Sequence, residues 1–448
     1  MIRNAVSLLL VLVLFPGLGL TQTREKPKQK DFGSSLKKLK WDPQKNQTAE
    51  TGSIPNPDAD DVVTIETALV VSELLVLDKN GRPVQGLKQS DFLITEDGAP
   101  QQVGHFLLGD NRDLPRSIVL IIDYSGSQFA YIKNSVEAAA VLVDKLGPRD
   151  RMAIVTDDVE LLAEFTNDKR ELKKKLNSLL QKSYGNKGNS FLGFDFGATR
   201  KRFGKSAQYS ALMATLKEAF DEEDQRPIII FQTDGDEAEY LRNSIIVPTV
   251  PLDLPPELVA KVQNQVEQRR ELQRSSLTEF SLDDVYRTVE KSRATIYTVV
   301  PGAKLVGLTQ EQQLATLAAA DDRAINEMLP TLSKDARAAF IARQNERKRT
   351  VPMQVLRMRA EDNAKLQEAL AAVAPLTGGW TDFLEQPQQA QGIYTRIMSD
   401  ISQRYIVGYY PTNKEHDGKR RQIAVTIRDH PDYKVLGRMW YYAPGADQ

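Results

Sequence analysis

Four runs of apolar residues between Ser117 and Gly302 alternate with segments whose apolar residues recur at helical spacing. The runs are SIVLIID, RMAIVTDD, RPIIIFQTDGD and ATIYTVVPG, and helical segments such as SVEAAAVLVDKL and SALMATLKEAFDEE separate them. A continuous apolar run of this length is typical of a strand that is buried on both faces of a sheet. The alternation therefore predicts an α/β fold with a doubly wound, mostly parallel sheet.

The residues on either side of this region predict strands without intervening helices. From Val62 to Leu108 the chain is rich in β-branched residues, and the pairs Asn80-Gly81 and Asp97-Gly98 predict hairpin turns with positive φ at both central residues. The segment RRQIAVTIRDHPDYKVLGRMWYYAP predicts further strands near the other end. Neither set could cover its own apolar face. We therefore expect the two sets to pair into one β-sandwich, with the α/β region inserted in it.

The predicted boundaries follow from these patterns. The N-terminal part of the sandwich covers residues 62–112, the α/β domain covers 113–403, and the C-terminal part of the sandwich covers 404–448. Two long charged stretches, at about 253–285 and 303–367, interrupt the α/β pattern. They predict helical insertions with solvated faces.

The first residues, MIRNAVSLLLVLVLFPGLGL, combine a positive start, a short apolar core and small residues, which is the pattern of a secretory signal peptide. We expect the signal peptide to cover residues 1–21 and a disordered linker to cover 22–61. An uncleaved anchor is the alternative, but Pro16 and Gly17 interrupt the apolar run, which is short for a membrane span. The mature protein is therefore expected to be exported, without a membrane span, to the periplasm, the cell surface or the extracellular space.

Composition narrows the chemistry that the chain can perform. The 448 residues include no cysteine, so disulfides, thiol catalysis and cysteine metal sites are excluded. Three scattered histidines disfavour a histidine-rich zinc site. The formal net charge of -1 gives no reason to expect nucleic acid or an anionic membrane as the main partner.

The strand SIVLIID ends in a group of oxygen-bearing side chains. Asp123, Ser125 and Ser127 occupy alternate positions, so in an extended loop they point the same way. In an open parallel sheet, binding sites form beyond the carboxyl ends of the strands. One carboxylate and two hydroxyls are hard donors that suit Mg²⁺, Mn²⁺ or Ca²⁺, and so few charges leave a bound ion open to an anionic ligand from outside. The same residue types also suit a turn and a helix cap without a metal.

This D-x-S-x-S pattern after a central apolar strand resembles the metal-ion-dependent adhesion site (MIDAS) of the von Willebrand factor type A domain. The resemblance implies two further ligands from separate loops. Asp234 in FQTDGD matches the family's aspartate, and Ser206 in GKSAQYSALMATL stands where the family has a threonine. Ser190 and Thr199 are rivals of Ser206 in the same long loop. The implied cofactor is a divalent cation, with Mg²⁺ expected and Mn²⁺ or Ca²⁺ as alternatives. Its implied ligands are Asp123, Ser125, Ser127, Ser206 and Asp234.

The segments around the α/β region extend the resemblance. VLDKNGRPVQGLKQSDFLITEDGAPQQVGHF before it, and YIVGYYPTN with YKVLGRMWYYAP after it, are similar to a group of secreted bacterial VWFA-related proteins that are common in acidobacteria. This similarity covers most of the chain after the linker. The long helical stretch after Gly302 departs from it.

We therefore expect an exported, non-enzymatic module for binding or adhesion. The resemblance implies a protein partner whose Asp or Glu carboxylate completes the coordination of the metal. One alternative is a metal-assisted hydrolase, for which Asp157 and Asp158 are the spare acids, although no histidine neighbours the motif. Another alternative is a structural scaffold that interacts through its helical insertions.

Overall fold

The computed structural model describes residues 69–109, 115–125, 128, 131–184, 190–191, 194–195, 207–220, 226–251, 254–276, 278–331 and 333–445. The predicted signal peptide and linker lie outside these residues, as do Ser127, Thr199 and Ser206. The described residues form two compact units. An α/β unit lies within Arg112–Ser399, and a β unit lies within Phe32–Asn111 and Asp400–Gln448.

The secondary structure consists of sixteen strands and nine α-helices within the described residues. The strands are β1 (Val70–Leu77), β2 (Phe92–Glu96), β3 (Ala99–Gln101), β4 (Val103–Leu108), β5 (Arg116–Ile122), β6 (Arg151–Thr156), β7 (Leu161–Thr166), β8 (Ser190–Phe191), β9 (Phe194–Asp195), β10 (Arg226–Gln232), β11 (Thr295–Pro301), β12 (Thr381–Leu384), β13 (Tyr405–Tyr409), β14 (Arg420–Ile427), β15 (Lys434–Leu436) and β16 (Trp440–Tyr442). The helices are α1 (Ile132–Asp144), α2 (Lys169–Tyr184), α3 (Gln208–Glu218), α4 (Pro256–Ser276), α5 (Leu282–Lys291), α6 (Gln310–Met328), α7 (Lys334–Thr350), α8 (Met353–Ala371) and α9 (Ala390–Gln403). In the part of the chain that the structure covers, none of these helices is both long and apolar enough to cross a bilayer.

The α/β unit is built on a six-stranded sheet with the order β12-β11-β10-β5-β6-β7. All neighbouring strands are parallel except β6 and β7, which are antiparallel. Every residue of β10 and β11 is buried, as the continuous apolar runs predicted. Counted from β5 along the chain, the order is that of a doubly wound sheet. The predicted α/β class with a mostly parallel sheet is confirmed.

Helices connect successive parallel strands, and several of them bury one face. In α1, for example, Ile132, Val136, Ala139 and Val143 are buried, and their spacing places them on one face. Helix α5 begins at a capping box. The hydroxyl of Ser281 accepts a hydrogen bond from the amide of Asp284 (3.2 Å), and the Ser281 amide donates to the Asp284 carboxylate (2.8 Å).

The two predicted helical insertions lie in the long connections from β10 to β11 and from β11 to β12. The first contains α4, and the second contains α6, α7 and most of α8. Helix α8 departs from the expectation of a solvated segment, because Ala360, Ala364 and Leu370 are buried. It therefore belongs to the core of the α/β unit.

The β unit consists of two antiparallel sheets that share one core. The sheet orders are β15-β1-β13-β4 and β16-β14-β2-β3. Each sheet pairs strands from the two ends of the chain, since β1 pairs with β13 and β2 pairs with β14. Buried residues from both sheets, including Leu74 and Val407 of the first and Ile94 and Ile423 of the second, form one cluster. The predicted β-sandwich from N- and C-terminal segments is confirmed as part of the fold class.

The two predicted hairpin turns differ. Asp97 (φ 48°) and Gly98 (φ 83°) both take positive φ, as expected. In the other turn only Gly81 does (φ 75°), so the prediction is wrong for Asn80. The side chain of Asp78 accepts hydrogen bonds from the amides of Asn80 and Arg82, both at 2.8 Å, and this holds the turn in a different conformation.

Candidate metal site at the carboxyl edge of the sheet

Strands β5 and β10 end side by side at the centre of the sheet. They pair in register, with Ile122 opposite Gln232, and the Asp123 amide donates to the carbonyl of Gln232 (3.0 Å). The chain leaves β5 towards β6 on one side and leaves β10 towards β11 on the other. This is the switch point of a doubly wound sheet, where a crevice opens beyond the strand ends. Asp123 and Asp234 therefore follow neighbouring strands at the edge where the sequence predicted a site.

Asp123 is fully buried and is held by three donors. Its Oδ1 accepts a hydrogen bond from the Ser125 amide (2.9 Å). Its Oδ2 accepts one from the hydroxyl of Thr233 (2.9 Å) and one from Nε2 of Gln208 (3.2 Å). A carboxylate has about four acceptor sites. These donors fix the side chain and leave Asp123 with acceptor capacity beyond them.

Asp234 lies on the next loop and is tied to the first one. Nε2 of Gln128 donates to its Oδ2 at 2.7 Å. Asp234 is half-buried, and Gly235 after it adopts a left-handed conformation (φ 72°) that begins the 3-10 helix Asp236–Tyr240. The structure thus brings the first and third predicted loops together.

Helix α3, which follows the second predicted loop in the sequence, begins at the same place. Its first residue, Gln208, donates from Nε2 to both Asp123 and Oδ1 of Asp236 (2.6 Å), and its Oε1 accepts from the Glu237 amide (3.1 Å). Ser206 lies outside the described residues, but it precedes Gln208 by only two positions. Of the rivals, Ser190 lies in the two-residue strand β8, and Thr199 lies outside the described residues.

Asp157 and Asp158, the spare acids of the hydrolase hypothesis, hold loops. Oδ1 of Asp157 accepts from the Tyr124 amide (3.1 Å), and its carbonyl accepts from the Ala207 amide (2.7 Å). Asp158 accepts from the hydroxyls of Thr156 (2.6 Å) and Tyr124 (3.3 Å). Asp157 therefore joins the first loop to the start of α3.

The edge carries a concentration of negative charge. Burial raises the pKa of Asp236 well above its usual range, and the charges of Asp234 and Asp123 add to this, while the hydrogen bond from Gln208 opposes it. Burial likewise raises the pKa of Tyr209, assisted by the charges of Tyr286 and Glu237. The negative charges of Asp234 and Asp123 that act on Asp236 also favour a cation at this edge.

The described donor set fits a hard divalent cation. Asp123 and Asp234 offer carboxylates, and Ser125 offers a hydroxyl, so every donor is oxygen. Among the described residues, no three acidic or imidazole side chains are placed to hold an ion together. A site of two carboxylates and several hydroxyls needs no such group. Since Ser127 and Ser206 lie outside the described residues, the five-ligand set stays a prediction.

Sequence reasoning missed Thr233, Gln128 and Gln208. Thr233 could have been found, because it precedes Asp234 and the register of two adjacent parallel strands places it beside Asp123. The two glutamines carry no such signal. Their contacts depend on how the chain after β5, the start of α3 and the chain after β10 meet at the sheet edge.

The solved structures that are similar to this chain include the following three. BatB, a conserved hypothetical protein from Bacteroides thetaiotaomicron, is 12% identical, with 64% of this chain and 98% of that chain covered and a TM-score of 0.32. The vWF domain of the type V pili tip protein Mfa5 from Porphyromonas gingivalis is 13% identical, with 64% and 95% covered and a TM-score of 0.29. Proximal thread matrix protein 1 from the mussel byssus, solved with a zinc-occupied MIDAS motif, is 10% identical, with 64% and 48% covered and a TM-score of 0.26.

No protein-family profile and no curated protein sequence matches the chain. At these identities and TM-scores, the structural similarities assign a role to no residue. The fold rests on the order and direction of the strands, which are those of a doubly wound α/β sheet.

Proposed function

We propose that the α/β unit is a von Willebrand factor A-like module that binds a divalent cation and, through it, a protein partner. The observation that carries this proposal is the position of Asp123 and Asp234. They follow adjacent central strands at the switch point, and Thr233 links the two strand ends by its hydrogen bond to Asp123. In this proposal the ion is held by Asp123, Ser125, Ser127, Ser206 and Asp234.

A bound Mg²⁺, with Mn²⁺ or Ca²⁺ as alternatives, supplies a Lewis-acidic position that an Asp or Glu carboxylate of the partner can occupy. The residues of this chain prepare the site. Thr233 and Gln208 orient Asp123, and Gln128 orients Asp234. Asp157 fixes the spacing between the first loop and α3.

Binding is favoured over hydrolysis by the hydrogen bonds of Asp157 and Asp158, the two spare acids of the hydrolase hypothesis. A general base must reach a substrate or a water at the site. Asp157 is 1% exposed and accepts a backbone amide, and Asp158 accepts two hydroxyls. These contacts suit residues that hold loops. We therefore propose a non-enzymatic module, exported by the signal peptide to the periplasm, the cell surface or the extracellular space.

The first test is the effect of Mg²⁺ and Mn²⁺ on thermal unfolding. A cation that binds only the folded chain raises its Tm. We expect this rise in the natural protein and its loss in Asp123→Ala. Asp144→Ala is the matched control, because Asp144 is an exposed acid paired with Lys173 on α2. Equal responses of the natural protein and Asp123→Ala would refute the assignment.

The second test identifies the partner. The protein is used as bait in extracts with Mn²⁺ and with a chelator, beside the Asp123→Ala variant. A partner of the proposed kind is retained only by the natural protein with Mn²⁺. A partner that is retained equally with the chelator and by Asp123→Ala would argue for the scaffold hypothesis.

A further inference from the structure

Helix α4 turns one face towards the loop that follows Asp234. Val262 and Val266 on this face are buried, at 8% and 5% exposure. Arg269 and Gln273 continue the same face at helical spacing. The face is therefore apolar in its first half and polar where it reaches the 3-10 helix Asp236–Tyr240.

Arg269 joins three elements. Its Nε pairs with Oε1 of Glu239 in the 3-10 helix, and its Nη1 pairs with Oδ2 of Asp362 in α8 at 3.0 Å. The three side chains are only 19%, 8% and 14% exposed, respectively. The guanidinium thus lies between two largely buried carboxylates, one in the 3-10 helix and one in α8.

Other contacts hold the same segment from both sides. Gln273 donates to the carbonyls of Glu239 (3.1 Å) and Ile246 (2.8 Å), and Arg270 donates to the carbonyl of Pro248 (2.9 Å). On the α8 side, Leu370 lies so close to Gly235 that a Cβ there would be 3.2 Å from its Cδ2. The chain from 235 to 248 is therefore fixed between α4 and α8.

We propose that Arg269 is a positioning residue for Asp234 and that it sets the cation affinity of the edge site. This inference rests on the proposed function. Removing the guanidinium leaves two largely buried carboxylates without the cation that pairs with both of them, and movement of the loop that bears Glu239 would relieve this cost. Asp234 precedes Glu239 by five positions in the same short segment, so such a movement displaces it. A ligand set loses affinity when one donor is displaced by even a fraction of an ångström.

The coupling must act in both directions. If the contact between α4 and the loop favours cation binding, then the cation favours that contact by the same factor. Mn²⁺ should therefore slow amide exchange in α4, although this helix contributes none of the proposed ligands. The helices in the connections from β10 to β11 and from β11 to β12 would then influence the cation affinity of the site.

The test measures the Kd of Mn²⁺ for the full chain, at a temperature where every variant is folded. We expect Arg269→Met to raise the Kd by about fivefold or more, the lower range of coupling between sites. Arg269→Lys should recover part of the affinity, since one ammonium can face only one of the two acids at full strength. Arg274→Met is the matched control, because Arg274 lies on the same helix and makes an exposed pair with Glu267 (2.6 Å). It should leave the Kd unchanged.

If Arg269 only stabilises the fold, Arg269→Met will lower the Tm measured with a chelator and will leave the Kd of Mn²⁺ unchanged. That result, or equal slowing of α4 exchange by Mn²⁺ in the natural protein and in Arg269→Met, would overturn the inference. If Arg269→Met fails to fold, Glu239→Gln is measured in its place. It removes the carboxylate by which the loop is paired with Arg269 and is expected to weaken Mn²⁺ binding in the same direction.

The outcomes also separate the inference from the function on which it rests. If the natural protein and Asp123→Ala bind Mn²⁺ equally, or if neither binds it, the proposed function fails and the inference falls with it. If Asp123→Ala alone loses binding and Arg269→Met keeps it, only the inference fails.

Discussion

Thr233 donates its hydroxyl to Oδ2 of Asp123 at 2.9 Å, across the ends of two neighbouring parallel strands. The same hydroxyl oxygen accepts a hydrogen bond from the amide of Gly235 (3.0 Å). One side chain therefore connects the acid that ends β5 to the turn that carries Asp234. A change in the direction of this hydroxyl would therefore affect the hydrogen bonds of both Asp123 and Gly235.

Replacing Thr233 by Val removes both hydrogen bonds and changes the shape of the side chain little. Because Thr233 and Asp123 are buried, we expect the free energy of unfolding to fall by about 1–3 kcal/mol. Urea unfolding measures this loss. Thr233→Ser keeps the oxygen and should recover most of the stability. A Val variant as stable as the natural protein would show that the hydroxyl does not hold the strand ends together.

Gly235 is required by its backbone conformation and by its neighbours. Its φ is 72°, and a Cβ would lie 3.2 Å from Leu370 and 3.4 Å from the Tyr209 hydroxyl. A side chain in the left-handed region costs about 1–2 kcal/mol per residue. We expect Gly235→Ala to lower the free energy of unfolding by at least about that amount, as measured by urea unfolding.

The control for Gly235→Ala is the same substitution at another glycine, where we expect the free energy of unfolding to rise. Gly392 lies in α9, is exposed, and has nothing within 4 Å of an added Cβ. Gly392→Ala should stabilise the protein by roughly 0.5–1 kcal/mol, because alanine restricts the unfolded chain. If both substitutions changed the free energy of unfolding in the same direction and by the same amount, the conformation of Gly235 would not explain the loss of stability in Gly235→Ala.

The sequence predicted the sheet well because burial on both faces demands continuous apolar residues. The runs that became β5 and β10 show this, and their ends placed Asp123 and Asp234 at the correct edge of the sheet. The sequence could not show that Gln208 bridges Asp123 and Asp236. An amide side chain carries no periodic signal, and this contact exists only because α3 begins above the switch point.

The charged connection from β11 to β12 contains a buried helix that its sequence does not reveal, for a physical reason. Helix α8 is rich in charged residues, and its buried face is made partly of Ala360 and Ala364, which are too small to mark an apolar stripe. In the turn at Asn80, a local side chain decided the conformation, since Asp78 satisfies two amides there. The resemblance to the secreted bacterial VWFA-related group stays a prediction.

Asp150 makes the stability of the α/β unit depend on acid pH. Burial raises its pKa, but the hydrogen bonds and charge of Arg116 and the Gly147 amide (2.6 Å) outweigh burial and hold the pKa below 3.8. A pKa lowered by folding adds stability above the unfolded value, and that stability is lost as the pH falls through the folded pKa. Asp150→Asn should lower the free energy of unfolding by about 3 kcal/mol at neutral pH, because Arg116 is left largely buried without its partner.

The measurement for Asp150 is urea unfolding from neutral pH down to below pH 3.8. The difference between the natural protein and Asp150→Asn should be constant at neutral pH and should shrink at the acid end. Asp168→Asn is a suitable comparison, since Asp168 is exposed and should show a much smaller difference at neutral pH. A difference that does not change with pH would contradict the proposed role of the charge.

In the β unit, Glu96 accepts hydrogen bonds from two tyrosines. The hydroxyls of Tyr409 and Tyr441 both lie 2.9 Å from its Oε2, and Glu96 is 2% exposed. The pKa of Tyr409 is raised by burial first and by the hydrogen bond to Glu96 second, so the phenol stays a donor at neutral pH. Glu96→Leu leaves two donors without their acceptor, and we expect it to lower the free energy of unfolding by about 1–3 kcal/mol for each donor that stays buried. Glu96→Gln keeps an acceptor and should cost less.

A double-mutant cycle tests whether that loss comes from the unpaired donors. In the Glu96→Leu background, Tyr409→Phe removes a hydroxyl that has lost its acceptor, so it should cost little or even restore stability. In the natural background, the same substitution breaks an intact hydrogen bond between the two sheets and should cost about 1 kcal/mol. Urea unfolding of the four proteins gives the coupling energy. Equal costs of Tyr409→Phe in both backgrounds would mean that the Tyr409–Glu96 hydrogen bond does not contribute to holding the two sheets together.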